Sequence, residues 1–93
     1  MGIVRKGDLC SGHGCFPARP AAEYSSDVYI NGLEAVREQD LWEPHTCGST
    51  HSGKVTEGSS TVFINGKGVV RSGDPIAECG STAQQSSNNA NAG

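Results

Sequence analysis

Three times in the sequence, a histidine or a cysteine stands five residues after an aspartate. The pairs are Asp8 with His13, Asp40 with His45, and Asp74 with Cys79. Imidazole nitrogen and thiolate sulfur are donors that bind tetrahedral Zn²⁺ in proteins. Metal-ligand residue types at one repeated interval therefore indicate equivalent positions in three successive units, and they predict a zinc site.

The candidate ligand set is completed by His51, which lies outside this interval. It follows the turn-forming residues 47–50, which can fold it back toward His45. With His13, His45 and Cys79 it provides three nitrogen donors and one sulfur donor, a set that closes a zinc site and leaves no water to activate. We therefore expect one structural Zn²⁺. The alternative is that the histidines are ordinary hydrogen-bonded or surface residues, and only their spacing favours ligation.

The remaining cysteines are Cys10, Cys15 and Cys47. Residues 1–8 lack the apolar stretch of a secretory signal, and the thiols of cytoplasmic proteins stay mostly reduced. We therefore expect these three cysteines to be buried small hydrophobic residues, or metal ligands if the preferred set is wrong. Disulfides are the less favoured alternative.

A catalytic role is less favoured than metal binding for the same residues. Cys47 with His45 or His51 has the residue types of a nucleophile and its base. A chain of this size has little bulk from which to build a substrate cleft, however, and the preferred ligand set is closed. We expect no enzyme activity.

The composition predicts one small domain, residues 1–93, with a thin core. Hydrophobic residues make up 34% of the chain and aromatic residues 5%, and 13 residues are glycine. A chain of this length buries only about 60–65% of its unfolded surface, so it needs a metal, disulfides or a partner surface for stability.

The charge distribution argues against binding to nucleic acid or to anionic membranes. The net charge is -3, and the seven basic residues are scattered rather than clustered. No apolar run approaches the roughly 20 residues of a membrane span. We expect the protein to be made in the cytoplasm.

The elements that position the candidate ligands form an internal repeat. Residues 25–32 (SSDVYING) return as residues 59–66 (SSTVFING). The β-branched and aromatic residues of each copy predict a strand, and its Asn-Gly pair predicts a type I′ turn into a returning strand. The apolar residues that follow Gly32 are spaced in a way that also suits a helical turn. The corresponding segment after Gly66 is rich in glycine, however, which favours a strand in both copies.

A third copy is degenerate. Residues 86–93 (SSNNANAG) align with the repeat but lack its apolar side chains. We expect this segment to be a weak strand or part of a mobile tail over residues 84–93. The predicted fold is all-β, built from three pseudo-repeated β-hairpins of which two are intact.

Over about residues 7–88 the sequence resembles the proline-alanine-alanine-arginine (PAAR) repeat proteins. The motifs that carry the resemblance are Gly7-Asp8 with His13-Gly14, Phe16-Pro17-Ala18-Arg19-Pro20, residues 59–67, and Gly73-Asp74-Pro75-Ile76 followed by Cys79-Gly80. The literal Pro-Ala-Ala-Arg motif is absent, and residues 33–37 and 67–71 stand in its place.

The resemblance implies a tip protein of a type VI secretion system or a contractile phage tail. In that family, three hairpins form a small cone whose broad base sits on a trimeric β-helical spike, and a zinc ion pins the apex. The family's ligands correspond to His13, His45, His51 and Cys79. The implied function is that of a non-enzymatic, monomeric cap, one per trimer, that sharpens the spike for envelope piercing and can bind effector cargo.

The resemblance also implies where the protein acts. It would be assembled at the tip of a phage tail or secretion apparatus and delivered through the target envelope, which it contacts transiently. The resemblance leaves open which of the two machines it belongs to. The alternative hypothesis is a small zinc- or disulfide-stapled β-hairpin binding module unrelated to injection.

Overall fold

The computed structural model describes residues 1–77 and 80–93. In this part of the chain, short strands form three antiparallel two-stranded sheets, and no helix is present. The strands are β1 (Tyr29–Ile30), β2 (Leu33–Glu34), β3 (His45–Cys47), β4 (Ser49–His51), β5 (Phe63–Ile64) and β6 (Lys67–Gly68). The all-β prediction is confirmed. The described residues accordingly contain no helix long and apolar enough to cross a membrane.

The two intact copies of the repeat form matching hairpins, β1–β2 and β5–β6. Ile30 pairs with Leu33, and Ile64 pairs with Lys67 at the same place in the second copy. In both turns the asparagine has a φ of 55°, and the following glycine has a φ of 81° or 78°. A type I′ turn needs positive φ at both central residues, which is why Asn-Gly occupies it. The predicted returning strands are confirmed.

One serine organises the start of each hairpin. The hydroxyls of Ser25 and Ser59 accept hydrogen bonds of 2.9–3.3 Å from the backbone N–H groups two and three residues later. Ser87 accepts the same two bonds, at 3.2 and 3.0 Å. The third copy therefore begins at Ser87, and the sequence alignment that matches Ser86 with Ser25 is wrong by one residue. In this register Ala90 and Ala92 take the places of Val28 and Ile30 at the apolar cluster between the hairpins.

The third hairpin is assembled from two distant segments, residues 87–92 and residues 1–5. Gly2 pairs with Asn91, the Ile3 N–H donates to the carbonyl of Ala90 at 2.9 Å, and the Ala92 N–H donates to the carbonyl of Met1. The equivalents of the Ile3 bond are Ala35 to Val28 and Val69 to Val62. Residues 1–5 thus take the place that a returning strand takes in the other two hairpins.

A ring of backbone hydrogen bonds closes the structure. We call residues 1–21, 33–55 and 67–83 the three arms, and each arm contributes one valine to the ring. The N–H of Val36 donates to the carbonyl of Val4, that of Val4 to Val70, and that of Val70 to Val36, at 2.9–3.0 Å. All three valines are fully buried. The arms are therefore related by a pseudo-threefold axis.

An arginine–aspartate clamp follows the ring valine in every arm. The aspartate accepts hydrogen bonds from the backbone N–H, the Nε and an Nη of the arginine three residues earlier, at 2.8–3.1 Å. The pairs are Arg5–Asp8, Arg37–Asp40 and Arg71–Asp74. Hydrogen bonding to the aspartate raises the pKa of Arg5 and Arg37. The clamps give the three arms the same backbone turn, so His13 and His45, each five residues after its aspartate, start from equivalent positions.

Two apolar clusters fill the interior, and all three arms contribute to both. The cluster between the hairpins contains Ile3, Ala35, Ile64, Val69 and Ala92. The second contains three residues from each arm, namely Val4, Cys10, Ala21, Val36, Trp42, Val55, Val70, Ile76 and Ala83. The molecule measures 37 × 22 × 22 Å, and two equal short dimensions are expected of three arms around one axis. Neither cluster includes a histidine, so other interactions must hold the loops that carry them.

Replacing Asp40 with alanine should lower the free energy of unfolding by about 3 kcal/mol, because it leaves the largely buried guanidinium of Arg37 without its partner. Urea denaturation measures the change. Glu57→Ala, at an exposed position, is the control and should change stability by less than about 0.5 kcal/mol. Equal losses in the two variants would contradict a structural role for the clamp.

Candidate metal centre

Each arm carries one loop that leaves and re-enters the body at an equivalent bridge. The bridges join Leu9 to Pro20, Leu41 to Lys54, and Pro75 to Thr82. We call the segments between them the first tip loop (residues 10–19), the second tip loop (residues 42–53) and the third tip loop (residues 76–81). Because their bases are equivalent, the three loops are presented together around the pseudo-threefold axis.

His13 lies at the start of a tight turn in the first tip loop. Its N–H donates to the Phe16 carbonyl at 3.2 Å, and the Phe16 N–H donates to the His13 carbonyl at 2.8 Å. Gly14 supplies the positive φ of 54° that this turn requires. The Phe16 ring stacks on the His13 imidazole, with ring centroids 4.6 Å apart. The turn therefore fixes both the position and the plane of His13.

His45 and His51 lie opposite each other on the β3–β4 hairpin of the second tip loop. Thr46 and Thr50 form the next pair, with their hydroxyls 2.8 Å apart, and Gly48 makes the turn with a φ of 79°. Directly opposed residues of an antiparallel pair project from the same face. The expectation that residues 47–50 fold His51 back toward His45 is confirmed.

The three histidines converge on one point. His51 Nε2 lies 3.0 Å from His13 Nε2 and 2.6 Å from His45 Nε2. The three ligand atoms all lie within 4.8 Å of one another, and His45 is 1% exposed. The structure thus brings together three of the four predicted ligands, from two different arms.

A hydrogen bond sets the orientation of the His45 ring. Its Nδ1 lies 2.9 Å from the carbonyl oxygen of Pro17, which can only accept, so Nδ1 carries the proton. In the neutral ring, the lone pair is then on Nε2 and faces the other histidines. Metal-binding histidines are held by this kind of contact, which fixes the tautomer and the direction of the lone pair.

The arrangement fits a bound cation better than hydrogen bonding among the rings. A single proton on His51 Nε2 can be donated well to one neighbouring nitrogen, whereas a metal ion at the centre engages all three lone pairs. In a tetrahedral zinc site with Zn–N bonds of about 2.05 Å, ligand nitrogens lie about 3.3 Å apart. The observed 2.6 and 3.0 Å separations need only a small outward shift to match that value. These histidines could hold a metal ion.

The predicted fourth ligand, Cys79, lies outside the described residues. Gly80, the next residue, is described, and its backbone lies against His13. A Cβ placed on Gly80 would lie 3.4 Å from His13 Nε2. The third tip loop therefore reaches the histidine cluster, and the assignment of Cys79 stays a prediction.

The prediction for the other cysteines is right for one and wrong for two. Cys10 is a buried member of the core, 2% exposed. Cys15 and Cys47 are not buried hydrophobic residues, because they are joined by a disulfide with their Cα atoms 5.8 Å apart. Each follows a predicted ligand by two residues, His13 or His45. That shared interval was the signal in the sequence that these cysteines would meet if the histidines met.

Phe16 is a second feature of the site that the spacing of possible ligands does not reveal. Its ring centroid lies 4.6, 4.8 and 4.3 Å from those of His13, His45 and His51. One apolar ring therefore packs on all three imidazoles and shields one side of the cluster from water. Excluding water strengthens the electrostatic attraction between a cation and its ligands.

Comparison with known protein families supports the resemblance to PAAR-repeat proteins in the second half of the chain. Residues 41–85 match the family described as PAAR motif. The matched segment includes His45, His51 and Cys79 and the last two tip loops, whereas His13 precedes it. A search of curated proteins gave no match. The described residues form no pocket.

A metal chelator should lower the melting temperature of the wild-type protein by about 10 °C or more, because metal-binding energy adds directly to folding energy in small domains. Differential scanning calorimetry measures the shift. His51→Ala removes one ligand and should make the chelator ineffective. Thr50→Ala, on the same strand, is the matched control and should keep the wild-type response; the same response in both variants would contradict ligation by His51.

Proposed function

Because residues 41–85 match the PAAR motif family, we propose that this chain is the zinc-stapled tip of a contractile-injection spike. The observation that carries the proposal is the meeting of three imidazole nitrogens from the first and second tip loops, at a point to which the apolar core does not extend. A metal at this point would tie the loops together where they are too narrow to pack a core. The role proposed is mechanical and non-enzymatic.

Zinc is the proposed metal, held by His13, His45 and His51 with Cys79 as the fourth ligand. Three nitrogen donors and one thiolate are typical of closed, structural zinc sites. Bound there, zinc would supply a cross-link between tip loops and no reactive water. The Pro17 carbonyl orients one ligand, and the Phe16 ring keeps water from one side of the site.

The proposed partner is a trimeric β-helical spike, capped by one copy of this protein. The pseudo-threefold hairpins give a single chain three similar surfaces, which suits a partner with true threefold symmetry. Two hairpins present exposed aromatic rings at equivalent positions, with Tyr29 55% and Phe63 57% exposed. Exposed aromatic side chains are enriched at protein interfaces. The third hairpin has Asn91 at this position, so the contact would be strong on two sides and polar on the third.

The proposed path of the protein follows from this role. It is made in the cytoplasm, assembled as a monomer on the spike of a phage tail or a type VI secretion system, and carried through the target envelope. Effector cargo could travel with it. Its net charge of -3 gives no attraction to nucleic acid.

The second candidate is a stapled β-hairpin binding module with no part in injection. The Cys15–Cys47 disulfide favours it, because small stapled modules are typical of oxidising environments. Such a module could use the same exposed rings on another partner. Binding to a trimeric spike separates the two candidates.

Mixing the protein with a trimeric β-helical spike protein from its own host should give a complex of one cap per trimer, measured by light scattering. Tyr29→Ala and Phe63→Ala should each weaken binding by about tenfold or more, since buried aromatic anchors carry much of an interface's affinity. Leu41→Ala is the control, because Leu41 is 42% exposed but lies outside the hairpins. No complex, or equal weakening in all three variants, would contradict the proposal.

A further inference from the structure

The first and second tip loops are joined twice, once by histidines and once by a disulfide. His13 approaches His51 through their Nε2 atoms at 3.0 Å, and Cys15 is bonded to Cys47. On β3, His45 and Cys47 are two residues apart and so project from the same face. The disulfide therefore spans the same gap between loops that the histidine cluster spans.

The non-covalent contacts described between these two loops involve side chains. Among the described residues, no backbone hydrogen bond joins residues 13–18 to residues 45–51. The Pro17 carbonyl contacts His45 Nδ1, and the Phe16 ring packs on His45 and His51. The His13 ring also lies against the rings of His45 and His51. Opening the disulfide would remove the covalent tie between these two loops, two residues from His13 and two from His45.

The disulfide is accessible to small thiols and disulfides. Cys15 is exposed and Cys47 is half-buried, whereas the free thiol of Cys10 is only 2% exposed and lies in the core. Thiol–disulfide exchange requires in-line approach to a sulfur atom, so access decides which bonds exchange. The Cys15–Cys47 pair can therefore change redox state while the core stays packed.

We propose that Cys15 and Cys47 form a redox-operated lock on the metal centre, an inference that rests on the proposed metal site. In the oxidised state the disulfide keeps His13 beside His45 and His51, and metal is retained. In the reduced state the first tip loop is free to separate, and metal leaves faster. A tether of this kind acts by raising the effective concentration of one ligand near the others.

Thiol–disulfide exchange with glutathione would close and open the lock. Glutathione disulfide accepts two electrons from the two thiols through a mixed disulfide, and it leaves as two glutathione thiols that carry the two protons. Glutathione or a dithiol reverses the reaction. The lock would be open in a reducing cytoplasm and closed in an oxidising envelope space, where the tip does its work.

The test measures zinc transfer to a chromophoric chelator from the full chain loaded with zinc. One sample is oxidised with glutathione disulfide, and the other is reduced with a phosphine that is then removed without air. Reduction should speed release by about tenfold or more, because the tether on His13 is lost. The Cys15→Ser/Cys47→Ser double variant should release zinc at the fast rate under both treatments.

The outcomes separate the lock from the proposed function. Zinc bound in both states but released at equal rates overturns the lock alone. Slower release after reduction also overturns it, since the free thiols would then be acting as ligands. No zinc bound in either state overturns the proposed metal function and the lock with it. If the double variant does not fold, the comparison of oxidised and reduced wild-type protein decides the question.

Discussion

The closed ring of hydrogen bonds among Val4, Val36 and Val70 is the constraint on which the rest of the structure depends. A chain of 93 residues with short strands cannot build stacked sheets, and each two-stranded hairpin is marginal by itself. The ring lets three arms satisfy one another's backbone groups at a buried axis. It also places the three clamps and the bases of the three tip loops at equivalent positions, because each follows its ring valine at the same interval.

The backbone is close to threefold, but the side chains at its two ends are not. At the hairpin end, two aromatic residues and one asparagine occupy equivalent positions. At the other end, the second tip loop is extended into the β3–β4 hairpin and supplies two histidines. In the proposed zinc site this asymmetry would solve a geometric problem, since one ligand from each of three equivalent loops gives three ligands whereas a closed zinc site needs four. The longer second loop would provide the additional ligand, because it carries both His45 and His51.

The sequence predicts the site better than it predicts the details around it. The Asp-plus-five interval brings His13 and His45 together because Asp8 and Asp40 make the same clamp, so equal spacing gives equivalent positions in space. For Cys79 the interval stays a prediction. The predicted register of the third copy is wrong because Ser86 and Ser87 are chemically identical, and the small Ala90 and Ala92 that replace Val28 and Ile30 give only a weak apolar pattern. The pairing of residues 1–5 with residues 87–92 joins segments far apart in sequence that share no pairing signal. The disulfide is not predicted because the expectation uses only the reducing conditions of the cytoplasm. Whether two cysteines can bond also depends on how close the fold brings their sulfur atoms.

The central claim is that a metal ion joins the tip loops through three histidines and one cysteine. X-ray absorption spectroscopy at the zinc edge of the purified protein tests it most directly, because it reports the identity and number of the ligand atoms. The claim predicts three imidazole nitrogens at about 2.0–2.1 Å and one sulfur at about 2.3 Å, with the sulfur lost in Cys79→Ser. A first shell of oxygen donors, or a sulfur that persists in Cys79→Ser, would contradict it.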